Sequence, residues 1–452
     1  MPTEIRQYVR SLGLDAYVVG GAVRDELLGV PHADEDFLVP GVDHAGLRAL
    51  LEPHGRIEDL EVHGQLVGVR MYPRDRTIRA LAPAGIELTP PRAERSTGPG
   101  HRDFAIVSDA SIGIREDMAR RDFTINAMAR RLATGELVDP FGGLADLARR
   151  ELRTVSEQSF REDPLRILRG LRLVSQLGFT PTGQTLVAMR VEAPGLRHVS
   201  AERIGGGLAA DGMGELSKLL LGQRPALALR LARETGILAE LLPELTPAVG
   251  FEIDSERQPL TLDEHLFGVV QRCADGDSPL PVRLAALLHD AGKPASSGAG
   301  HAVRGARIAR STLLRLRYPV PLQRHVEAIV RAHDFRLDAG TDGRRARRFL
   351  AEHGDELAFD LMTLKDADLA VKDVPGDELE ALAALHLSLE REQSSPHRLA
   401  DLAVRGRDLI EIGFHEGPAR GRVLAVLLDE VLDEPARNTR ETLLDRARQE
   451  LP

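Results

Sequence analysis

The sequence has almost none of the residues that form disulfides and large aromatic contacts. Its 452 residues include one cysteine and no tryptophan, so an intramolecular disulfide is excluded and a cysteine-based zinc site is not expected. The first residues contain no apolar segment of the signal-peptide type, and no uninterrupted apolar run reaches membrane length. We therefore expect a cytoplasmic protein that does not associate with a membrane.

An excess of basic residues is also absent. The net charge of −10 argues against a protein that coats nucleic acid indiscriminately. One segment departs from this balance, since residues 302–350 contain twelve arginines and four acidic residues. A local RNA-binding surface and a set of solvated helix faces explain that segment equally well. With four tyrosines in the chain, base stacking there would depend mostly on arginine or phenylalanine.

The hydrophobic pattern changes along the chain. Up to about residue 150, β-type runs such as Tyr17–Val19, Gln65–Met71 and Gly135–Val138 alternate with turns. Beyond that point, leucine and alanine recur at helical period. We predict an α+β N-terminal head with a small mixed sheet and helices, followed by all-α domains. Breaks are predicted at 243–259, 295–298 and 393–396 from their proline, glycine and serine content.

A glycine turn follows the first β-type run. Gly20 and Gly21 separate that run from a helical stretch that begins at Ala22. Backbone N–H groups at such a helix N-terminus can face phosphate oxygens. Arg24 adds a positive charge to the same turn. A lone glycine pair is most often an ordinary turn, but together with the carboxylates that follow it, this turn predicts a binding site for a metal-bound nucleoside triphosphate.

Two carboxylates come next. Asp34 and Asp36 are two residues apart in an extended segment, which places both on one face and Glu35 on the other. Paired carboxylate oxygens suit Mg²⁺, and two such ions promote phosphoryl-type transfer. We predict that Asp34 and Asp36 bind magnesium and that Glu35 points away from it.

A second polar segment carries two adjacent arginines, Arg120 and Arg121. They can neutralise a triphosphate. We predict that this segment is helical, so that Asp122 and Asn126, four residues apart, share a face. We predict that these two side chains contact a ribose hydroxyl.

A third segment opens a helix with Pro164 at an N-terminal position. Asp163 and Arg166 are three residues apart there. A carboxylate accepts hydrogen bonds and a guanidinium donates them, so the pair complements the edge shared by cytosine and adenine. An ordinary helix-surface ion pair, worth about 0.3–0.5 kcal/mol, is the simpler interpretation of this segment taken alone.

In their order, these motifs resemble those of the class II tRNA nucleotidyltransferase and bacterial poly(A) polymerase family, part of the polymerase-β-like nucleotidyltransferases. The resemblance covers nearly the whole chain. It implies template-independent addition of CCA to tRNA from CTP and ATP with Mg²⁺. It also implies a third acidic residue at Glu87 and, at residues 92–101, the loop that lets CCA-adding members switch from C to A. The nucleotide-binding residues it implies are Gly20, Gly21, Arg24, Arg120, Arg121, Asp122, Asn126, Asp163, Arg166 and Arg169.

The C-terminal half contains His265, the run 287–294 with His289 and Asp290, and then His301, His333 and Asp368. In this order they resemble the ligands of an HD-type metal-dependent phosphohydrolase. Imidazole and carboxylate ligands on a helical scaffold suit a divalent transition metal that activates water. The dipeptide His289-Asp290 alone carries little information, since His333 and Asp334 form a second His-Asp dipeptide. The implied ligands are His265, His289, Asp290 and Asp368, with His301 and His333 as additional candidates.

Together these features predict a CCA-adding enzyme that is a monomer or homodimer. The predicted domains are a nucleotidyltransferase head (1–150), a helical neck and body for base selection and RNA binding (151–250), an HD domain (256–393) and a tRNA-binding helical tail (396–452). Three alternatives stay open. A poly(A) polymerase shares these motifs, and a member that adds only CC or only A works with a partner enzyme, although the loop at 92–101 argues against a CC-only enzyme. The third is an HD phosphohydrolase with a nucleotide- or RNA-binding head.

Overall fold

The computed structural model describes residues 3–31, 35–62, 64–96, 104–108, 110–206, 213–253, 259–296, 300–337, 342–415 and 417–451. It divides into two compact units, Met1–Pro243 and Glu244–Pro452. The division lies at the start of the segment 243–259, one of the predicted breaks. Within the described residues, no helix combines the length and the apolar character that crossing a bilayer requires.

Unit 1 contains a seven-stranded mixed sheet. Its strand order is β3-β4-β5-β2-β1-β8-β9, in which β2 and β5 pair in parallel and the other neighbours are antiparallel. The strands are β1 (Tyr17–Val19), β2 (Asp36–Leu38), β3 (Gly55–Val62), β4 (Gln65–Pro73), β5 (Ile86–Thr89), β6 (Arg92–Ser96), β7 (Phe104–Ser108), β8 (Ala129–Arg131), β9 (Leu137–Val138), β10 (Glu151–Leu152) and β11 (Thr180–Pro181). Strands β6 and β7 form an antiparallel pair, and the loop residues 97–103 between them lie outside the described ranges.

Both faces of the central strands are buried, which explains why β1 is apolar without alternation. On one face, Tyr17 and Val19 pack with Leu38 and Met118. On the other, Val18 and Phe37 have no exposed surface. Helices cover the sheet and then continue through the rest of unit 1. They are α1 (Thr3–Ser11), α2 (Gly21–Leu28), α3 (His44–Leu51), α4 (Arg76–Leu81), α5 (Ile114–Ala119), α6 (Gly143–Arg149), α7 (Ser159–Glu162), α8 (Leu165–Leu177), α9 (Gly183–Glu192), α10 (Ala201–Ile204), α11 (Glu215–Leu220), α12 (Pro225–Glu234) and α13 (Ile237–Leu241).

Unit 2 is helical throughout its described residues. Its helices are α14 (Leu262–Asp275), α15 (Leu280–Leu288), α16 (His301–Arg315), α17 (Val320–Ala332), α18 (Gly343–His353), α19 (Asp355–Leu369), α20 (Gly376–Glu392), α21 (Gly406–Glu411), α22 (Pro418–Asp433) and α23 (Arg440–Arg448). One apolar cluster joins α18, α19 and α20, and another joins α21, α22 and α23. The predicted fold class, an α+β head followed by helical domains, is confirmed.

The single cysteine gives a direct test of core packing in unit 2. Cys273 on α14 is 1% exposed, and burial raises the pKa of its thiol to about 12. Because the thiolate is the reactive form, only about one thiol in ten thousand is ionised at pH 8. We expect a maleimide to label the native protein at pH 8 at less than about a tenth of the rate seen in denaturant. Mass spectrometry of the time course measures this, and rapid stoichiometric labelling of native protein would contradict the packing.

Candidate active site and candidate metal centre

The glycine turn lies between β1 and α2. Gly20 has a φ of 74°, and a Cβ at this position would lie 2.5 Å from Nη1 of Arg121. The backbone conformation therefore favours glycine strongly, and the missing Cβ lets this guanidinium come close. The N–H of Gly20 donates to the carbonyl of Met128 at 3.2 Å, so Gly20 does not offer the bare N–H that the sequence predicted. The first-turn N–H groups of α2, beginning at Gly21, remain candidates for phosphate.

The sheet register brings the predicted acidic residues together. Asp36 is the exposed first residue of β2 and is the register partner of Glu87 on the parallel strand β5. Asp36 also pairs with Val19, the last residue before the glycine turn. Register partners on neighbouring strands point to the same face. The face therefore carries two carboxylates next to the turn. Asp34, the other predicted ligand, lies outside the described residues.

Glu35 points away from this face, as predicted. Its side chain is buried and accepts hydrogen bonds from Nε and Nη2 of Arg6 at 2.8 and 2.6 Å. Arg6 also donates to Glu26 at 2.6 Å. Glu35 therefore anchors α1 to the segment that precedes β2, and its role is structural.

A buried carboxylate with no predicted role, Asp117, organises the two arginines. Asp117 on α5 has no exposed surface. It accepts from Nη2 of Arg120 at 2.7 Å and from Nη2 of Arg121 at 3.3 Å. Burial disfavours its charge, but the two guanidinium groups outweigh burial and lower its pKa. The spacings of three and four residues were a signal that could have identified Asp117.

The prediction that residues 122–126 are helical was wrong in form. Phe123 makes an isolated β-bridge with Thr154, which breaks the helix, and only Thr124–Asn126 form a short 3₁₀ turn. The predicted juxtaposition is nevertheless present, because Nδ2 of Asn126 donates to Oδ1 of Asp122 at 3.0 Å. Asn126 Oδ1 in turn accepts from Nη1 of Arg24 at 2.7 Å. The 3₁₀ turn and the glycine turn are thus joined through side chains.

Asp122 is also tied to α8. Nε of Arg169 donates to Oδ2 of Asp122 at 2.7 Å, and burial of Asp122 is outweighed by Arg169, so the pKa of this carboxyl lies below its usual range. Behind this pair, Glu215 on α11 lies 3.0 Å from Nη1 of Arg172 and 3.7 Å from Nη1 of Arg169. Glu215 was not predicted, because it is more than forty residues away in sequence and no local spacing indicates it.

The two proposed base-reading residues lie at the junction of α7 and α8. Pro164 caps the start of α8, as predicted. Asp163 accepts from the N–H of Leu165 at 3.1 Å and from Arg203 at 3.4 Å. Arg166 is 8% exposed and donates through Nη2 to the carbonyl of Arg120 at 2.7 Å. Helix α8 is therefore hydrogen-bonded directly to the segment that carries Arg120 and Arg121.

In unit 2, five helices bring the predicted HD ligands into one buried cluster. His265 lies on α14, His289 follows α15 and Asp368 lies on α19. Nε2 of His265 is 3.1 Å from Oδ1 of Asp368, and Nε2 of His289 is 3.3 Å from Oδ2 of Asp290. Ligand atoms of these four residues all lie within 4.8 Å of one another.

The two additional histidines form a second group around the same aspartate. Nε2 of His301 and Nε2 of His333 each lie 3.4 Å from Oδ1 of Asp290, so Asp290 belongs to both groups. His333 donates from Nδ1 to the carbonyl of Val330 at 2.7 Å, because a carbonyl can only accept. That hydrogen bond fixes the tautomer and leaves Nε2 available as a ligand.

The cluster fits divalent metal in the chemistry of its donors. Neither carboxylate oxygen of Asp290 accepts a hydrogen bond of ordinary geometry within the described residues, although Nζ of Lys293 lies 2.6 Å away. Burial opposes ionisation, but His289, His333 and Lys293 outweigh it and hold the pKa of Asp290 well below its usual value. The cluster therefore offers buried charged oxygens and oriented imidazoles, the ligands that transition metals prefer.

Three protein families match successive parts of the chain. They are the poly A polymerase head domain over residues 16–153, the probable RNA and SrmB-binding site of polymerase A over 178–249, and the HD domain over 262–401. Of the site residues predicted from the sequence, all except Asp163, Arg166 and Arg169 fall inside these matches. These three lie in the segment between the first two matches.

Curated relatives are similar over most of their length. A multifunctional CCA protein from Azoarcus sp. (strain BH72) is 37% identical over 327 residues, which cover 70% of this chain and 73% of the relative. One from Neisseria gonorrhoeae (strain NCCP11945) is 35% identical over 329 residues, covering 71% and 74%.

Solved structures show the same fold. The CCA-adding enzyme of Bacillus stearothermophilus, in complex with CTP, is 27% identical with a TM-score of 0.70, and the match covers 99% of this chain and 96% of that one. The Thermotoga maritima CCA-adding enzyme, complexed with tRNA, has a TM-score of 0.57 at 18% identity over 98% and 93% of the chains, and supports the fold alone. With 37% identity over most of a curated relative, and a head, an RNA-binding region and an HD domain in that order, this chain belongs to the tRNA nucleotidyltransferase and poly(A) polymerase family with a fused HD domain.

Proposed function

We propose that this enzyme adds CCA to the 3′ end of tRNA from CTP and ATP without a template. The observation that carries the proposal is the register of Asp36 and Glu87 beside the Gly20 turn. Two carboxylates of the kind that suits a divalent metal and a turn of the kind that suits phosphate lie on neighbouring strands, which supports the proposal. The relatives named as CCA proteins favour CCA addition over poly(A) synthesis.

The side chains of the head divide the work of binding. Arg24, Arg120 and Arg121 would neutralise the triphosphate, and Asp122 with Asn126 would hold the ribose. Asp36, with Asp34 and Glu87, would bind Mg²⁺, which supplies charge that activates the attacking hydroxyl and stabilises the leaving pyrophosphate. Since the chain's own residues only bind and orient, catalysis would rest on positioning and charge neutralisation.

Primer extension tests the proposal. Purified full-length enzyme with Mg²⁺ is given tRNA transcripts that lack CCA, end in C or end in CC, together with each labelled nucleoside triphosphate alone and then CTP plus ATP. Extension to CCA followed by a stop supports the proposal. Long A tails would identify a poly(A) polymerase, and a stop at CC or dependence on a CC end would identify a partial enzyme.

Base selection by Asp163 and Arg166 gives a sharper prediction. In Asp163→Asn an acceptor-only group becomes part donor, so the site should no longer exclude the opposite hydrogen-bond order of uracil. We expect the ratio of kcat/KM for CTP to that for UTP to fall at least about tenfold, since an unpaired buried polar group costs about 1–3 kcal/mol. Steady-state kinetics with each nucleotide measures this ratio.

The matched control is Arg161→Ala, an exposed residue of α7 that pairs with Glu192. It should leave the ratio unchanged. If Asp163→Asn lowers both rates equally, or if Arg166→Ala leaves selectivity intact, the base-reading assignment is wrong.

A second function is favoured by one observation, that Asp290 belongs to two adjoining ligand groups. We propose that the HD cluster binds divalent transition metal and hydrolyses phosphoesters. Metal analysis of the purified enzyme and release of phosphate from p-nitrophenyl phosphate test this without involving the head. We also propose a cytoplasmic location, a monomeric or homodimeric state and the four domain boundaries predicted from the sequence.

A further inference from the structure

A cavity of about 400 Å³ lies in unit 2 beside the histidine cluster. Its walls come from the end of α17, the segment that follows α17, and α18. Ala332 and Asp334 both line it, and His333 lies between them in the chain. Neighbouring Cα atoms are about 3.8 Å apart, so the cavity adjoins the HD cluster across a single stretch of backbone. Its volume is within the range of small-molecule sites.

The floor of the cavity is aromatic and fixed. The rings of Phe335 and Phe349 meet edge to face with centroids 5.1 Å apart, and the imidazole of His353 lies 4.5 Å from Phe349. Both phenylalanines are half-buried and pack against the apolar cluster of α18, α19 and α20. Nζ of Lys365 lies over the ring of Phe335, 5.3 Å from its centroid, so Phe335 can stack on a flat ligand through its other face. Rings held in this way lose little conformational entropy on binding.

The rim is cationic. The arginines between residues 344 and 348 lie in different environments. Arg347 is buried and bonded to Glu392 and the carbonyl of Leu432, whereas Arg345 and Arg348 line the cavity. The positive charge of Arg348 is neutralised by Asp433, whose Oδ1 lies 2.7 Å from Nη2 of Arg348.

Arg336 differs from its neighbours. It is exposed, and its side chain makes no ion pair with any residue that the structure describes. The carbonyl of Arg336 accepts from Nη2 of Arg345 at 2.6 Å, which fixes the backbone at the rim. Arg336 therefore presents an uncompensated guanidinium next to the aromatic floor, an arrangement suited to a phosphate attached to a planar ring system.

We infer that this cavity binds one nucleotide unit, with its base on Phe335 and Phe349 and its phosphate at Arg336. The carboxylates of Asp334 and Glu352, which also line the cavity, can accept hydrogen bonds from ribose hydroxyls or base amino groups. The same chemistry occurs in a free mononucleotide and in a nucleotide of single-stranded RNA. The site is separate from the head and does not depend on the proposed CCA addition.

Photo-crosslinking tests the inference in the full-length enzyme. One probe is 8-azidoadenosine 3′-phosphate, and the other is a short single-stranded RNA that carries the same photoreactive base at its end. Mass spectrometry maps the crosslinked residues, which separates this cavity from the nucleotide site of the head. We expect crosslinks within residues 331–353, with the RNA probe or with both probes.

Variants define the contribution of each wall. Arg336→Glu should lower affinity for the RNA probe at least about tenfold, measured by fluorescence anisotropy. Phe335→Leu keeps apolar packing but removes stacking, and a comparable loss is expected. The control is Arg324→Glu, an exposed arginine on α17 that does not line the cavity, and it should change affinity less than about twofold.

Three results would overturn the inference. They are the absence of crosslinks in this segment, equal effects of Arg336→Glu and Arg324→Glu, or an unchanged affinity in Phe335→Leu. Enzyme that extends tRNA normally but shows any of these results would disprove the nucleotide cavity and leave the proposed function intact. If instead the cavity binds the probes but the enzyme fails to extend tRNA, the nucleotide cavity is supported and the proposed function is disproved.

Discussion

Asp36→Ala is expected to abolish nucleotide addition while the protein stays folded. Asp36 is exposed at the start of β2, so alanine removes a carboxylate without opening the core. Charge supplied by bound metal is worth several kcal/mol in such reactions, and each 1.36 kcal/mol is a factor of ten. We therefore expect kcat for CTP incorporation into tRNA that lacks CCA to fall more than about a thousandfold.

The control for this variant is Glu61→Gln, an exposed acidic residue on β3 of the same sheet. It should retain wild-type incorporation. Circular dichroism and thermal unfolding establish that both variants are folded. More than a few per cent of residual activity in Asp36→Ala would remove Asp36 from the metal site.

Asp290→Ala is expected to empty both ligand groups of unit 2 at once. Asp290 belongs to each of them, and even loss of an outer partner of a metal ligand lowers affinity about 10–100-fold. We expect the metal content of purified enzyme to fall below about a tenth of wild type and phosphatase activity to fall to background. Elemental analysis by mass spectrometry and p-nitrophenyl phosphate hydrolysis measure the two losses.

The control is Asp366→Asn, an exposed carboxylate on α19 two residues before Asp368. It should keep its metal. If Asp290→Ala retains half or more of the wild-type metal, Asp290 is not required for metal binding by the two ligand groups. Nucleotide addition by Asp290→Ala tells whether the two activities are separate, since the head residues are all in unit 1.

The first strand of the head and the glycine turn after it could be predicted from the sequence because their signals are local. β1 is an apolar run followed by glycines, and both features follow from backbone geometry alone. The parallel pairing of Asp36 with Glu87 was not derivable in this way, because fifty residues and two further strands separate them. Only the resemblance to the family connected these two carboxylates.

The errors have equally physical causes. A spacing of four residues suggested a helix for Asp122 and Asn126, but the β-bridge of Phe123 to Thr154 prevents one. Tertiary pairing overrides helical spacing in such a short segment. Glu215 was not predicted because α11 and α8 are far apart in the sequence. Its contacts with Arg172 and Arg169 arise from packing of these two helices, and such packing produces no periodic signal in the sequence.

For the predicted HD ligands, the residues could be identified from the sequence but their grouping could not. Each lies on or next to a helix, and their order along the chain indicated the family, but the order did not show that they form two candidate ligand groups. His301 and His333 were additional candidates only. The structure places both at 3.4 Å from one carboxylate oxygen, a result of how α16 and α17 converge on Asp290.

The hydrogen bond from Arg166 to the carbonyl of Arg120 has a consequence for accuracy. It links the side chain proposed to read the base to the backbone of the segment proposed to hold the triphosphate. A noncognate base that displaces Arg166 would also disturb Arg120, and with it the contact proposed for the triphosphate. Proofreading by release would then be unnecessary, because a mismatched nucleotide would be bound in an unreactive position and discrimination would be expressed in kcat.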